Sequence, residues 1–131
     1  MGDAVTSQTL IDDADIAVMK FTNISDGTGE SEVTKVDIDS DLDPAPSTVT
    51  IEKIIWGCSG MGVTILWDAT SDVVCWHLGT DSSGTIDFLK DAGNSLINTK
   101  ATGYTGDISF TTVGHTSGDA YSVILVMRKV F

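Results

Sequence analysis

The sequence predicts an all-β fold: a single antiparallel β-sandwich of jelly-roll-like form spanning 1–131, with a closed β-barrel as the alternative. Three observations carry that reading. Short runs rich in Val, Ile, Thr and aromatic residues recur along the chain; they are separated by clusters of Gly, Asn, Asp, Ser and Pro, which are turn formers. No heptad and no convincing amphipathic helix interrupts them. Eight or nine runs of this kind suit two packed sheets.

Taken in order, the first predicted strand is Ala4 to Ile11, broken by Asp12-Asp13-Ala14-Asp15. The second is Ile16 to Ile24, whose apolar residues fall on both parities, so both of its faces are expected to be partly covered. Ser25-Asp26-Gly27-Thr28-Gly29 forms a hairpin loop. From Glu30 to Ile38, Val36 and Ile38 share one parity and Lys35 and Asp37 the other, which predicts an edge strand with one wet face. Asp39 to Ser47 carries both prolines, which cannot donate to a sheet ladder, and reads as a surface loop.

Thr48 to Gly79 is the densest stretch. It holds three apolar runs, all three tryptophans and both cysteines. Ser59-Gly60 and Asp68 to Asp72 supply turns, so the sequence predicts three strands in an antiparallel meander. A short strand near Thr85 to Phe88 follows, then a polar segment from Lys90 to Thr105, with a short helix near Asp87 to Leu96 as an option. A loop of that length is a candidate contact element, with Gly93, Asn94, Asn98, Lys100 and Tyr104 as its contact residues. Asp107 to Val113 and Tyr121 to Lys129 are the last strands, joined by the turn Gly114 to Asp119.

Charge and composition exclude several function classes. The chain has 19 acidic and 7 basic residues, a net charge of −12, which argues against binding a phosphate backbone through Lys and Arg. Nucleic acid is therefore not an expected partner. The acids concentrate in residues 1–47, and a solvated face or a partner with a basic patch both accommodate them. No apolar window reaches the roughly 18 residues of a membrane-spanning helix. The start, MGDAVTSQTL, lacks the basic and apolar regions of a secretory signal, so no Sec-type export is expected. Gly2 and Thr6 fit a loose acylation pattern, but myristoylation is not expected. Cys58 and Cys75 are expected as free thiols, because nothing signals an oxidising compartment.

No constellation reads as a catalytic centre, and no cofactor is expected. Asp37, Asp39, Asp41 and Asp43 alternate as oxygen ligands for Ca²⁺ do. Yet Leu42 and Thr48 occupy the positions where an EF-hand loop needs Gly and Glu, so Asp37, Asp39 and Asp41 are weak calcium candidates in what reads as an acidic solvated loop. His115, Ser117 and Asp119 are crowded into one turn, whereas a triad draws its members from separate elements. Cys75 and His77 have only Cys58 and His115 as further soft ligands for zinc. Trp56, Trp67 and Trp76 fit a core or interface role better than a sugar-stacking platform.

Three stretches, MKFTNISDGTGES (Met19 to Ser31), EKIIWGCSGMGVTILWDAT (Glu52 to Thr70) and GDISFTTVGHTSGDAYSVILVMRK (Gly106 to Lys129), resemble segments of small all-β proteins of marine tailed bacteriophages. Such proteins are similar in size and class to head decoration, or cement, proteins. The resemblance implies a non-enzymatic virion structural protein on the outer capsid surface, made in the host cytoplasm. It implies the phage major capsid protein as partner and a homo-oligomer, with a trimer at threefold positions as one arrangement. Contacts are expected from the Gly93 to Thr105 loop, the N-terminal strand and one sandwich face. The alternative is a virion-associated host-adhesion or glycan-binding module that uses exposed tryptophans.

Overall fold

A computed structural model describes residues 3–131. Its last strand shows the packing rule most plainly. Tyr121, Val123, Leu125, Met127 and Lys129 are buried, while the residues between them are partly or fully exposed, as expected of a strand covered on one face. Nine strands are present among the described residues: β1 (Ala4–Asp12), β2 (Ile16–Ile24), β3 (Val33–Val36), β4 (Thr48–Ser59), β5 (Gly62–Trp67), β6 (Val73–Leu78), β7 (Ser83–Asp87), β8 (Ile108–Val113) and β9 (Ala120–Val130). Two short helices, α1 (Ile38–Asp41) and α2 (Phe88–Asp91), lie in the connections.

The strands form a five-stranded sheet, β1-β2-β9-β4-β7, and a four-stranded sheet, β3-β8-β5-β6. Every pairing is antiparallel. From β2 onward the pairs are nested: β2 with β9, β3 with β8, β4 with β7 and β5 with β6. That nesting is what a long hairpin gives when it is rolled into two sheets, so the fold is a jelly-roll β-sandwich and does not close into a barrel. The interior is filled by apolar side chains from both sheets, including Phe21, Ile51, Ile54, Ile65, Phe110, Leu125 and Met127. Phe110 sits at its centre, edge-on to Phe21 (5.3 Å) and Tyr121 (5.9 Å).

Three expectations need correction. The Thr48 to Gly79 stretch is not a meander, because β4 lies in the five-stranded sheet while β5 and β6 pair in the other. β4 and β5 bury apolar residues facing the same interior from opposite sides, so Ser59 to Met61 carries the chain across the sandwich instead of turning it back alongside itself. Lys35 is not on a wet face. The register of β3 shifts between Thr34 and Val36, and this bulge turns Lys35 and Val36 inward together. The Asp39 to Ser47 segment is not wholly a surface loop either, since Ile38 and Leu42 are buried at its start. There α1 begins at the Asp37 side chain, which accepts hydrogen bonds from the amides of Asp39 and Ser40.

Candidate docking surface

β1 differs from the other eight strands in having all nine residues exposed. The geometry follows from the strand count. Eight strands face each other four on four, and the ninth extends the larger sheet past the edge of the smaller one. Val5, Ser7 and Thr9, opposite the inward-facing Asn23, Phe21 and Met19 of β2, therefore have no sheet beneath them. Val5, Leu10 and Ile11 are each nearly half exposed. β1 pairs with β2 in unbroken register from Ala4 to Thr9, and the register shifts between Thr9 and Ile11.

Carboxylates clamp the strand at both ends. Asp3 accepts hydrogen bonds from Asn23 Nδ2 (3.1 Å), Ser25 Oγ (3.4 Å), the Asp26 amide (3.2 Å) and the Gly29 amide (3.1 Å). Burial pushes the Asp3 carboxyl up, but the bonds from Asn23 and from the Asp26 and Gly29 amides outweigh it and hold the group below its ordinary value. At the other end Asp12 accepts from Lys129 Nζ (2.7 Å) and from the Asp43 amide (2.9 Å). Between these clamps the strand's other edge carries backbone donors and acceptors with no partner strand among the described residues.

The long loop lies at the end of the sandwich where β1 finishes and β4 starts. Leu96 exchanges both backbone hydrogen bonds with Ile51 (3.0 and 2.9 Å), and the Thr70 amide donates to the Thr102 carbonyl (3.2 Å). Gly93, Asn94, Lys100 and Tyr104 are exposed on it. Asn98 is not available as a contact residue: it is 4% exposed, with its Oδ1 accepting the Lys100 amide (2.8 Å). Sequence reasoning missed this because an Asn that closes an Asx-turn inward and one that faces solvent have the same local signature.

The remaining candidates take structural places. Asp37 caps α1 and Asp41 accepts from the Asp37 amide (2.9 Å). Asp39 is exposed beside them, and no group of three or more His, Cys, Asp or Glu side chains gathers as a metal site among the described residues. Hydrogen bonding, that of Ser40 foremost, keeps the Asp37 carboxyl below its ordinary value. His77 is exposed on β6 and shares a hydrogen bond with Thr64 (3.1 Å). His115 does the same with Thr112 (3.1 Å), while Asp119 accepts from the Thr116 amide and hydroxyl. Cys58 and Cys75 stand on opposite sheets as free thiols. Burial raises both, Cys75 to about 12.

One tryptophan is buried and two are half-buried. Trp67 is buried, and Trp56 and Trp76 pack against the core. Trp76 meets Phe88 edge-on at 5.0 Å, and Trp56 Nε1 donates to Ser82 Oγ (3.0 Å). Beside Trp56, a shallow cleft of about 340 Å³ is lined by Gly57, Ser59, Asp81, Ser82, Ser83 and Ser122, among others. Its Ser82 hydroxyl donates to the Gly79 carbonyl and its Asp81 carboxylate accepts the Gly60 amide, so its polar groups serve the adjoining turns. No helix among the described residues is long and apolar enough to cross a membrane.

No family model and no curated protein matches the chain. Among solved structures, the chain is similar to a cupin superfamily protein from Desulfitobacterium hafniense, at 10% identity and TM-score 0.36, over 100% of this chain and 82% of that one. It is similar to a putative mannose-6-phosphate isomerase from Ralstonia eutropha at 9% identity and TM-score 0.34, over 98% and 86%. A third likeness is to CtCBM11, at 13% identity and TM-score 0.31, over 100% and 85%. Likeness this distant carries no argument about activity or ligand.

Proposed function

We propose that this chain is a non-enzymatic virion structural protein that decorates a phage head, binding the major capsid protein lattice and stabilising the shell. The observation that carries the reading is β1, whose nine residues are all exposed. A strand with no apolar side chain fully buried adds little to the stability of its own domain, yet this one is fastened at both ends by four hydrogen-bonding partners of Asp3 and two of Asp12. Fastening of that kind makes sense for an element presented to something else. The exposed residues of the long loop, Gly93, Asn94, Lys100 and Tyr104, supply a second contact, and assembly on a lattice brings copies together as a homo-oligomer.

The glycan-binding alternative has less support, because Trp67 is buried and Trp56 and Trp76, half-buried, pack against the core. The two readings separate in one experiment. Purified protein is mixed with tailed-phage heads that lack it, and bound copies and survival of osmotic shock are measured. Saturable binding at a fixed ratio to the capsid subunit, with improved survival, is the expected result. No binding to heads together with retention on a host-glycan array would replace this reading with the adhesion one.

A further inference from the structure

We propose that the free edge of β1 is a β-augmentation site that takes an extended segment of a partner protein with an uncharged centre and basic residues at both ends. The inference deepens the decoration reading by naming the chemistry of the docked segment, and it can stand or fall without it.

Four strands lie at sheet edges: β1 and β7 in the larger sheet, β3 and β6 in the smaller. Three of them are short or broken. β3 has four residues and a bulge at Lys35, β6 shifts register at Cys75, and β7 has five residues and runs directly into α2. These are the ordinary devices that keep an edge from pairing with another chain. β1 also shifts register, at Leu10, but the shift leaves six consecutive residues paired in register, Ala4, Val5, Thr6, Ser7, Gln8 and Thr9, with no Lys, no Pro and no charge among them. An added strand meets a row of donors and acceptors with no partner among the described residues, and uncharged side chains on both faces.

The charges at the two ends say which strand fits. Asp3 and Asp26 lie at the start of β1. Asp12, Asp13, Asp15 and Asp43 lie at its end, where Lys129 pairs with Asp12 alone. Asp15 and Asp43 are exposed and make no side-chain ion pair among the described residues. A second copy would bring a strand with equally acidic ends to this edge, in a protein already at −12. A basic-flanked segment instead places its cations against both acidic ends, while its neutral centre completes the ladder.

The test uses isotopically labelled full-length protein and a synthetic peptide, Lys-Arg-Thr-Val-Thr-Ser-Val-Thr-Lys-Arg, capped at both ends, with a Glu-flanked version of the same centre as control. Amide hydrogen exchange is read residue by residue. The basic peptide is expected to slow alternate amides within Ala4 to Thr9 by about tenfold or more, and its binding is expected to weaken as salt rises. The double variant Asp15→Asn, Asp43→Asn is expected to bind it several-fold more weakly, with a shallower salt dependence. Unchanged exchange in β1, or equal protection by the Glu-flanked peptide, would overturn the proposal. Protection of the same amides by raised protein concentration without peptide would give the edge to a second copy, and would overturn it too. Failure to bind heads leaves these readings unaffected, so the decoration reading and the edge chemistry are tested separately.

Discussion

Lys35 and Glu30 form an ion pair inside the sandwich, with their side chains 4% and 5% exposed. The pair does not stand alone. Glu30 Oε1 also accepts from the Tyr121 hydroxyl (2.5 Å) and from Asn23 Nδ2 (2.8 Å), so β2, β3, β9 and the loop after β2 meet at one buried carboxylate. Burial, and then the contact with Glu30, push the Tyr121 hydroxyl well above its ordinary value and keep it neutral.

Removing one partner of such a pair strands the other charge in the interior. Lys35→Met is expected to lower stability in urea unfolding by about 3–5 kcal/mol. The double variant Lys35→Met, Glu30→Gln should recover a large part of the loss. A loss under about 1 kcal/mol for the single variant would mean that Glu30 is neutralised some other way.

Asp107 offers a test with a pH signature. Burial raises its carboxyl above the ordinary value, and the nearby Asp37, Asp68 and Asp39 raise it further, against a lowering hydrogen bond from the Ile38 amide. A carboxyl that holds its proton more tightly when folded makes the folded state relatively less stable once pH exceeds that raised value. Asp107→Asn keeps an acceptor for Ile38 without the charge. It is expected to raise Tm at pH 7, and the gain should vanish at a pH low enough to protonate Asp107 itself. A gain that persisted unchanged into acid would contradict the electrostatic cause.

The two thiols predict behaviour in base. Because Cys75 is pushed up to about 12 by burial, the unfolded chain ionises there first, and stability should fall as pH rises past about 8.5. Cys75→Ala should flatten that alkaline slope, at the cost of a small cavity. A thiol reagent at pH 8 should label Cys75 slowly in buffer and quickly in urea; equal rates would show that the site opens freely.

Gly106 tests the sandwich end. It is buried with φ at +89°, and a Cβ there would collide with the Ser47 carbonyl and the Ile38 side chain. Gly106→Ala is expected to cost about 2–3 kcal/mol through strain and displacement of α1. A cost within about 0.5 kcal/mol would mean that the α1 segment yields easily.

Much of this fold was legible because turn residues bound each apolar run. β2 has the predicted bounds Ile16 to Ile24, and β9 differs from Tyr121 to Lys129 by one residue at each end. What escaped was long-range. Whether β4 and β5 pair or face each other cannot be read from either run alone, since both are apolar runs bounded by turn residues, and β5 buries all but Thr64. The inward turn of Lys35 depends on a bulge, which only the pairing with β8 reveals. The exposure of the N-terminal strand was legible: polar residues on both parities, Thr6 and Gln8 against Ser7 and Thr9, are the signal that neither face is buried. The burial of Asn98 comes from the surrounding fold, which the flanking Ile97 and Thr99 do not reveal.

The most direct measurement is an electron cryo-microscopy map of heads decorated with the purified protein, compared with heads incubated with the variant Val5→Asp, Leu10→Asp. Both replaced residues are exposed, so the variant should keep its fold, within about 0.5 kcal/mol of the parent. The account predicts added density at fixed lattice positions with the β1 edge against the shell, and its loss with the folded variant. Density in which β1 faces solvent, equal decoration by the variant, or no added density at all would contradict it.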